Sequence, residues 1–250
     1  MIIKKLSIII PSYNEGSTIA EVIKRVKKVN LGPIKKEIIV VNDGSTDQTA
    51  KVLAKLKVKS DLLANATHQA LQAGKLIVLT HKVNLGKGAT VKSALKKVSG
   101  DVVVIQDADL EYNPNEYKLL LQPIIEGKAD VVYGSRFVST QARRILYFWH
   151  SLGNNFLTTL SNIFTNLNLT DMETCYKMFT SDVASKLNIQ ENRFGFDPEF
   201  TSKIAKNKFK IYEVGVSYSG RDYKEGKKIK WIDGLTVLWC IIKYNLLSND

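Results

Sequence analysis

Cysteine is nearly absent from this chain: Cys175 and Cys240 are the only two, and they form neither a CxxC pair nor a Cys/His cluster. That argues against a disulfide-stapled scaffold or a thiolate metal centre, and a thiol-reducing cytosol is the expected setting. No apolar run reaches the roughly 20 residues that cross a bilayer. The most apolar late stretch, LTVLWCIIKYNLL, is shorter than that and carries Lys243. The opening MIIKKLSIIIPSYNE has too brief an apolar run for an export signal, lacks a small-residue cleavage site, and reads as a first strand. No GxxxxGK[ST] spacing occurs, which rules out a P-loop ATPase, and there is no internal repeat or low-complexity linker. Acid is missing too: from Val131 to Thr170 there is no Asp or Glu.

What is present is a chain of 250 residues, 44% hydrophobic, which is ample for a real core. Its 36 basic against 24 acidic residues point to a polyanionic partner: nucleic acid, a phosphorylated ligand or an anionic membrane surface. The first half alternates short β-branched runs with helical patterns. LSIII, EIIVV, KLIVLT, DVVVI and DVVYGS read as strands buried on both faces. Between them, Ile19, Val22, Ile23 and Val26, then Ala50, Leu53 and Ala54, then Val91, Ala94, Leu95 and Val98 recur at helical spacing. This alternation predicts an α/β fold with a mostly parallel central sheet flanked by helices. Ligands in such sheets bind beyond the carboxyl ends of the strands, where PSYNE, NDGSTD, KVNLGKG and QDADLE all fall. The stretch 57–75 reads as a helical extension without legible chemistry.

The second half changes character. Ile145, Trp149, Leu152, Phe156, Leu160, Ile163 and Leu167 form a long amphipathic stripe. A core-packed helix and an interfacial membrane helix would both show it, but core packing does not require the missing acid. CYKMF and KIYEVGVSYS read as strands, and SDVASKL and PEFTSKIAK as helices.

The acid concentrates at one point. In QDADLE, Asp107, Asp109 and Glu111 follow the fourth strand directly. A pair of hard oxygen donors there suits Mg2+ or Mn2+, which takes one or two carboxylates and completes its shell with phosphate oxygens. Asp43 ends the second strand, where a carboxylate can accept hydrogen bonds from a nucleobase; Ser45 reads as a helix cap and Asp47 as part of the next helix. Lys87, between two glycines at a helix start, suits phosphate or base contact.

Together, IIIPSYNE, VVNDGSTD, NLGKGA, QDADLEYNP and GSRF resemble the inverting nucleotide-sugar glycosyltransferases of the GT-A fold, family 2. LTDMETCYKMF, GFDPEFT and SGRDYKEGKKIKWIDG narrow the likeness to the polyprenyl-phosphate mannose and glucose synthases. The resemblance implies a nucleotide-sugar pocket of Pro11, Tyr13, Glu15, Asp43, Lys87 and Asp107, with Asp107, Asp109 and Glu111 holding Mg2+ or Mn2+. It further implies that Arg136, Arg144 (or Arg143), Ser151 and Arg221 grip the acceptor phosphate, supported by Lys227 and Lys228, and that Asp109, Arg136 and Arg221 carry the catalysis. Helical spacing sets Arg144, Phe148, Ser151 and Asn155 on one face.

The implied organisation is one glycosyltransferase domain over 1–250, with a nucleotide-sugar half to 135 and an acceptor half from 136 whose interfacial helices cover about 142–167 and 231–247. The expected partners are a nucleotide sugar, with UDP favoured over GDP, a polyprenyl phosphate and an anionic membrane surface; nucleic acid is not among them. The expected location is the cytoplasmic face of the membrane, peripherally attached. Transfer to a saccharide hydroxyl is the rival within the enzyme class, and would call on Asp197 or Glu199 as base. Otherwise those two orient the donor sugar or brace the fold, and Glu173 is open between such roles. A non-catalytic basic membrane- or nucleic-acid-binding protein is the rival outside it.

Overall fold

The computed structural model describes residues 2–64, 74–138, 144–145, 147–222 and 231–248. Arg143, Lys227, Lys228 and residues 65–73 of the 57–75 extension lie outside these residues.

The β-branched runs assemble as expected. The strands β1 (Lys5–Ser12), β2 (Lys35–Asp43), β3 (Lys75–His81), β4 (Val102–Ile105), β5 (Val131–Ser135), β6 (Lys177–Thr180) and β7 (Ile211–Gly215) form one sheet in the order β3-β2-β1-β4-β6-β5-β7. β1 pairs in parallel with both β2 and β4, setting Ile8 against Ile38 on one side and Val104 on the other. Only β6 runs against its neighbours, pairing antiparallel with β4 and β5. It brings residues 171–176, just ahead of it, to the edge where β4 ends. The sheet interior is apolar, with Ile8, Ile9, Ile39, Val40, Val103 and Val104 all at 0% exposure. Buried apolar area of this kind supplies the main driving force for folding.

Helices α1 (Ile19–Lys28), α2 (Thr49–Ala64), α3 (Lys87–Leu95), α4 (Tyr117–Ile125), α5 (Phe148–Thr165), α6 (Ser181–Lys186), α7 (Phe196–Lys206) and α8 (Trp231–Ile242) make up the rest, α8 running into a π turn at Lys243–Leu247. α1 shows why: Ile19, Val22, Ile23 and Val26 are its buried stripe, Glu21 sits in its first turn and Arg25, Lys27 and Lys28 in its last, matching the helix dipole. Its end is sealed by Lys36, whose Nζ donates to the carbonyls of Val26, Lys27 and Val29. α6 is capped by Thr180, which accepts from the Val183 amide, rather than by the serine that follows it.

α5 leaves most of the amphipathic stripe off the core. Trp149, Leu152, Phe156 and Ile163 are 49–76% exposed, whereas the buried side chains are the small polar Thr158 and Ser161. Leu157, Leu160 and Phe164 pack sideways on a small cluster with Met172, Val237 and Ile241 of α8. The stripe is therefore mostly an outer face and not a core contact. α5 runs through Gly153 without a break, but it starts only at Phe148, so Arg144 stands outside it. The expected single helical face from Arg144 to Asn155 is corrected accordingly: Arg144 is tied by its backbone N–H to the Tyr218 carbonyl, an extended contact that keeps it out of the helix. Among the described residues no helix is long and apolar enough to cross a membrane.

Candidate active site

A cleft of about 610 Å³ opens along the carboxyl ends of β1, β2, β3 and β4. Its first wall is built by two interlocked loops. After β1 the chain turns through Asn14, a non-glycine residue at φ 50°, whose Oδ1 accepts from the Thr46 amide while its own N–H donates to Ser45 Oγ. Glu15 N–H donates to Thr49 Oγ1, and Gly16 N–H to Asp47 Oδ2. Asp47 also accepts from the Thr49 amide. Ser45, read from sequence as a cap, thus clamps the PSYNE loop instead, and the cap is Asp47. The consequence is a fixed position for Pro11, Tyr13 and Glu15, all of which line the cleft.

Asp43 lies at the same edge. Its Oδ1 accepts from the Leu85 amide and meets His81 Nδ1 at 2.7 Å, and its Oδ2 accepts from the Gly86 amide at 2.7 Å. The carboxylate thereby organises the NLGKGA loop. The glycines of that loop serve packing: a Cβ on Gly86 would lie 2.4 Å from the Asn192 carbonyl oxygen, and one on Gly88 would lie 2.1 Å from that of Glu191. The Asn192 carbonyl also accepts from the Ala89 amide at the start of α3. Lys87 is held 3.8 Å from Asp107 Oδ1 and 3.9 Å from Asp197 Oδ2. Burial works to lower its ammonium, but Asp107 and Asp197 outweigh that and hold it above its ordinary range.

In QDADLE, Leu110 takes φ 67°, a left-handed conformation uncommon for a branched side chain. The kink lets Asp109 and Glu111 converge on one group, the guanidinium of Arg221. Its NH2 is 3.1 Å from Asp109 Oδ2 and 3.3 Å from Glu15 Oε1, and its Nε is 3.3 Å from Glu111 Oε1. Burial first, then the charges of Asp107 and Glu111, push the Asp109 carboxyl up to about 8 against the pull of Arg221. The three-carboxylate metal set expected from sequence is not assembled. Glu111 accepts from Tyr218 Oη at 2.7 Å and from the Arg221 amide at 2.8 Å, which commits it to the 218–221 segment. Among the described residues no three Asp, Glu, His or Cys side chains enclose a metal position. Asp107 and Asp109 remain a fitting pair for a cation that takes most of its shell from phosphate oxygens, and the guanidinium beside Asp109 is a stand-in showing that positive charge is accommodated there.

The far wall comes from the second half. Arg136 Nε donates to Asp171 Oδ2 at 2.6 Å and its NH2 to Asp171 Oδ1 at 2.7 Å, a two-point grip completed by Asn154 Oδ1 at 3.2 Å. Tyr218 lies under its guanidinium, 5.2 Å from ring centre to Cζ. Arg144 and Ser151 do not line the cleft. Arg144 NH1 donates to the Gly220 carbonyl and its NH2 is 3.7 Å from Asp222, so it touches the segment that carries Arg221.

Three acids of this wall have separate duties. Glu199 accepts from the Gln190 and Glu191 amides and pairs with Lys203, bracing the fold away from the cleft. Asp197 lines the cleft and pairs with Lys177 Nζ at 2.5 Å, itself 0% exposed. Glu173 lines the cleft as well, and its buried Oε1 has no hydrogen-bond partner among the described residues. Asp171, which orients Arg136, carried no sequence signal as a site residue; the partnership spans 35 positions and exists only once β5 and β6 pair.

The Lys177–Asp197 pair yields a stability prediction. Asp197→Ala leaves a fully buried ammonium with carbonyl partners only, and is expected to destabilise the protein by about 3–5 kcal/mol. Urea unfolding monitored by circular dichroism checks it; a loss under about 1 kcal/mol would show that the carbonyls of Met172 and Thr174 suffice.

Comparison with known proteins agrees with this geometry. A UDP-N-acetylglucosamine–dolichyl-phosphate N-acetylglucosaminyltransferase of Methanococcus voltae is 26% identical over 244 residues, covering 96% of this chain and 95% of the relative. A dolichyl-phosphate beta-glucosyltransferase of Trichomonas vaginalis is 26% identical over 245 residues, covering 90% and 68%. Among solved structures, glucosyl-3-phosphoglycerate synthase of Mycobacterium tuberculosis, crystallised with Mn2+, UDP and glucosyl-3-phosphoglycerate, superposes with TM-score 0.69 at 17% identity, covering 99% of this chain and 82% of that one. The shared architecture is the GT-A fold, a mostly parallel α/β sheet flanked by helices. Residues 7–187 match the family described as Glycosyl transferase family 2, and with that span matched the chain belongs to this family of glycosyltransferases.

Proposed function

We propose that this glycosyltransferase moves a hexosyl unit from a UDP-sugar to a polyprenyl phosphate at an anionic membrane surface, inverting the anomeric carbon. One observation carries the reading: a carboxylate-lined cleft with Arg136 on its far wall lies in a protein whose α5 presents Trp149, Leu152, Phe156 and Ile163 to the outside. A cytosolic saccharide acceptor would have no use for that face. The relatives' names support a UDP-linked donor and a dolichyl-phosphate acceptor.

An acceptor phosphate is ionised near neutral pH, so the chain need not supply a strong base. Its task is to bring two anions together. The loops after β1 and β2 would receive the nucleoside. Asp107 and Asp109 would hold Mg2+ or Mn2+, which when bound neutralises charge on the leaving diphosphate. Arg136, locked in plane by Asp171 and Asn154, offers the acceptor phosphate an orientation fixed beforehand. We assign residues 1–135 to the donor half and 136–250 to the acceptor half of one catalytic unit, attached peripherally to the cytoplasmic leaflet through α5 and α8.

Incubation with radiolabelled nucleotide sugars, Mg2+ or Mn2+ and polyprenyl phosphate tests the reaction: label is expected to enter the organic phase. Label found only on water-soluble saccharides would overturn the acceptor assignment. The surface is tested on its own by Trp149→Glu with Phe156→Glu. Both side chains are exposed, so the melting temperature should hold, while sedimentation with phosphatidylglycerol vesicles should fall by at least about tenfold.

A further inference from the structure

Among the described residues, nothing answers one buried acid oxygen of the cleft, Oε1 of Glu173. Glu15, Asp109 and Glu111 meet Arg221, Asp107 lies beside Lys87, Asp43 holds two amides, and Asp197 pairs with Lys177. Glu173 Oε1 is buried without a partner, although buried polar atoms are normally satisfied. Its neighbours are fixed: Asp171 by Arg136, Met172 N–H by Thr158 Oγ1, and Thr174 Oγ1 by the Gly134 carbonyl. The backbone that carries Glu173 is thus pinned on both sides, so its place in the cleft is set by the fold rather than by chance of a loose loop.

Its place in the cleft narrows what could satisfy it. The loops after β1 and β2 stand at one end, followed by Asp107 and Asp109. Lys87 bridges from Asp107 to Asp197, and the charges of Asp197, Lys177, Arg136 and Lys87 all act on Glu173. Glu173 is thus a cleft residue within electrostatic reach of both Lys87, which meets Asp107, and Arg136. A phosphate oxygen only accepts, so it could meet a carboxyl proton but never a lone pair of Oε1, whereas a hydroxyl or acylamino group answers either; the nucleobase is assigned above to the loops after β1 and β2. The group that fits is a neutral donor carried by the sugar.

We propose that Glu173 is a specificity-determining residue for the transferred sugar, its Oε1 hydrogen-bonding a hydroxyl or acylamino group of the hexosyl unit. The assignment rests on the donor reading given above and deepens it. Burial, with the charge of Asp197, pushes the carboxyl up to about 8, so near neutral pH it is largely protonated and both donates and accepts, as a sugar hydroxyl does. Glutamine shares that dual capacity, and alanine does not.

Isothermal titration of the full chain with UDP, UDP-glucose and UDP-N-acetylglucosamine, each with Mn2+, tests it. In the wild type one UDP-sugar should bind more tightly than UDP. In Glu173→Ala the preferred UDP-sugar should weaken by about tenfold with the UDP Kd unchanged, while Glu173→Gln should stay within about threefold of wild type. Equal weakening of UDP and UDP-sugar in Glu173→Ala would reveal a merely structural role and overturn the proposal. So would an unchanged ratio between them. Failure of the wild type itself to bind UDP would instead overturn the donor reading, and is distinguishable because it needs no variant.

Discussion

Asp109→Ala is expected to lower sugar transfer by about a thousandfold at saturating donor and acceptor, a loss of the size seen when one charge-stabilising group at a reacting centre is removed. The carboxylate sits one residue before the left-handed Leu110 and shares Arg221 with Glu15 and Glu111. Its removal takes away half of the Asp107 and Asp109 pair without opening the core, because Ile105 and Val104 below it are untouched. The fold should not suffer, and its pH response shows why. In the metal-free protein Asp109 holds its proton to about 8, against 3.8 for an ordinary aspartate. The native state therefore binds more protons than the unfolded chain between about pH 4 and 8, and this group makes stability fall as pH rises through that window. Asp109→Ala abolishes the slope. In EDTA, its melting temperature relative to wild type should be higher at pH 8 than at pH 5. Retained transfer activity would sink the metal assignment, and an unchanged difference between the two pH values would sink the electrostatic account of the acid cluster.

The legibility of this chain in its sequence divides at the point where the sheet stops being parallel. β1 through β4 were readable because strands buried on both faces are continuous β-branched runs, and the parallel crossover rule then sends every polar loop to one edge. Pro11, Tyr13, Glu15, Asp43, Lys87 and Asp107 all line the cleft for that reason. The second half obeys no such rule. β6 inserts antiparallel between β4 and β5, and only that insertion carries Glu173 to the cleft and sets Asp171 and Lys177 against the cleft residues Arg136 and Asp197. Arg144 was misplaced because a period of three and four residues continues past Phe148 in the sequence, whereas the backbone leaves the helix to pair with Tyr218. Lys87 between its two glycines looked suited to phosphate or base contact, but close approach of a ligand and close approach of another backbone demand the same missing Cβ. Which of the two occurs depends on residues 191–193, a hundred positions away.

The contact between Arg221 and Asp109 spans 112 positions and reverses what the charges alone implied. The sequence set the acid cluster apart as a cation site and Arg221 apart as an anion grip; in the folded chain they neutralise each other. Any divalent cation entering between Asp107 and Asp109 must displace or share with a guanidinium that also meets Glu15 and Glu111. Arg221→Ala is therefore expected to move two quantities in opposite directions. Mn2+ binding without nucleotide should tighten by about tenfold, since a half-buried positive charge near the carboxylates is gone. Transfer should fall by about a hundredfold if, as the resemblance implies, Arg221 is a cation for the acceptor phosphate once the carboxylates hold their metal. Arg221→Lys keeps the charge without the planar fork, so it should restore the weaker metal binding but little of the transfer. Manganese titration followed by electron paramagnetic resonance reads the first effect, and product extraction into organic solvent reads the second. A purely structural arginine would weaken both together, and a surface charge would change neither; only opposite signs support a counter-ion that leaves the donor carboxylates when their metal arrives.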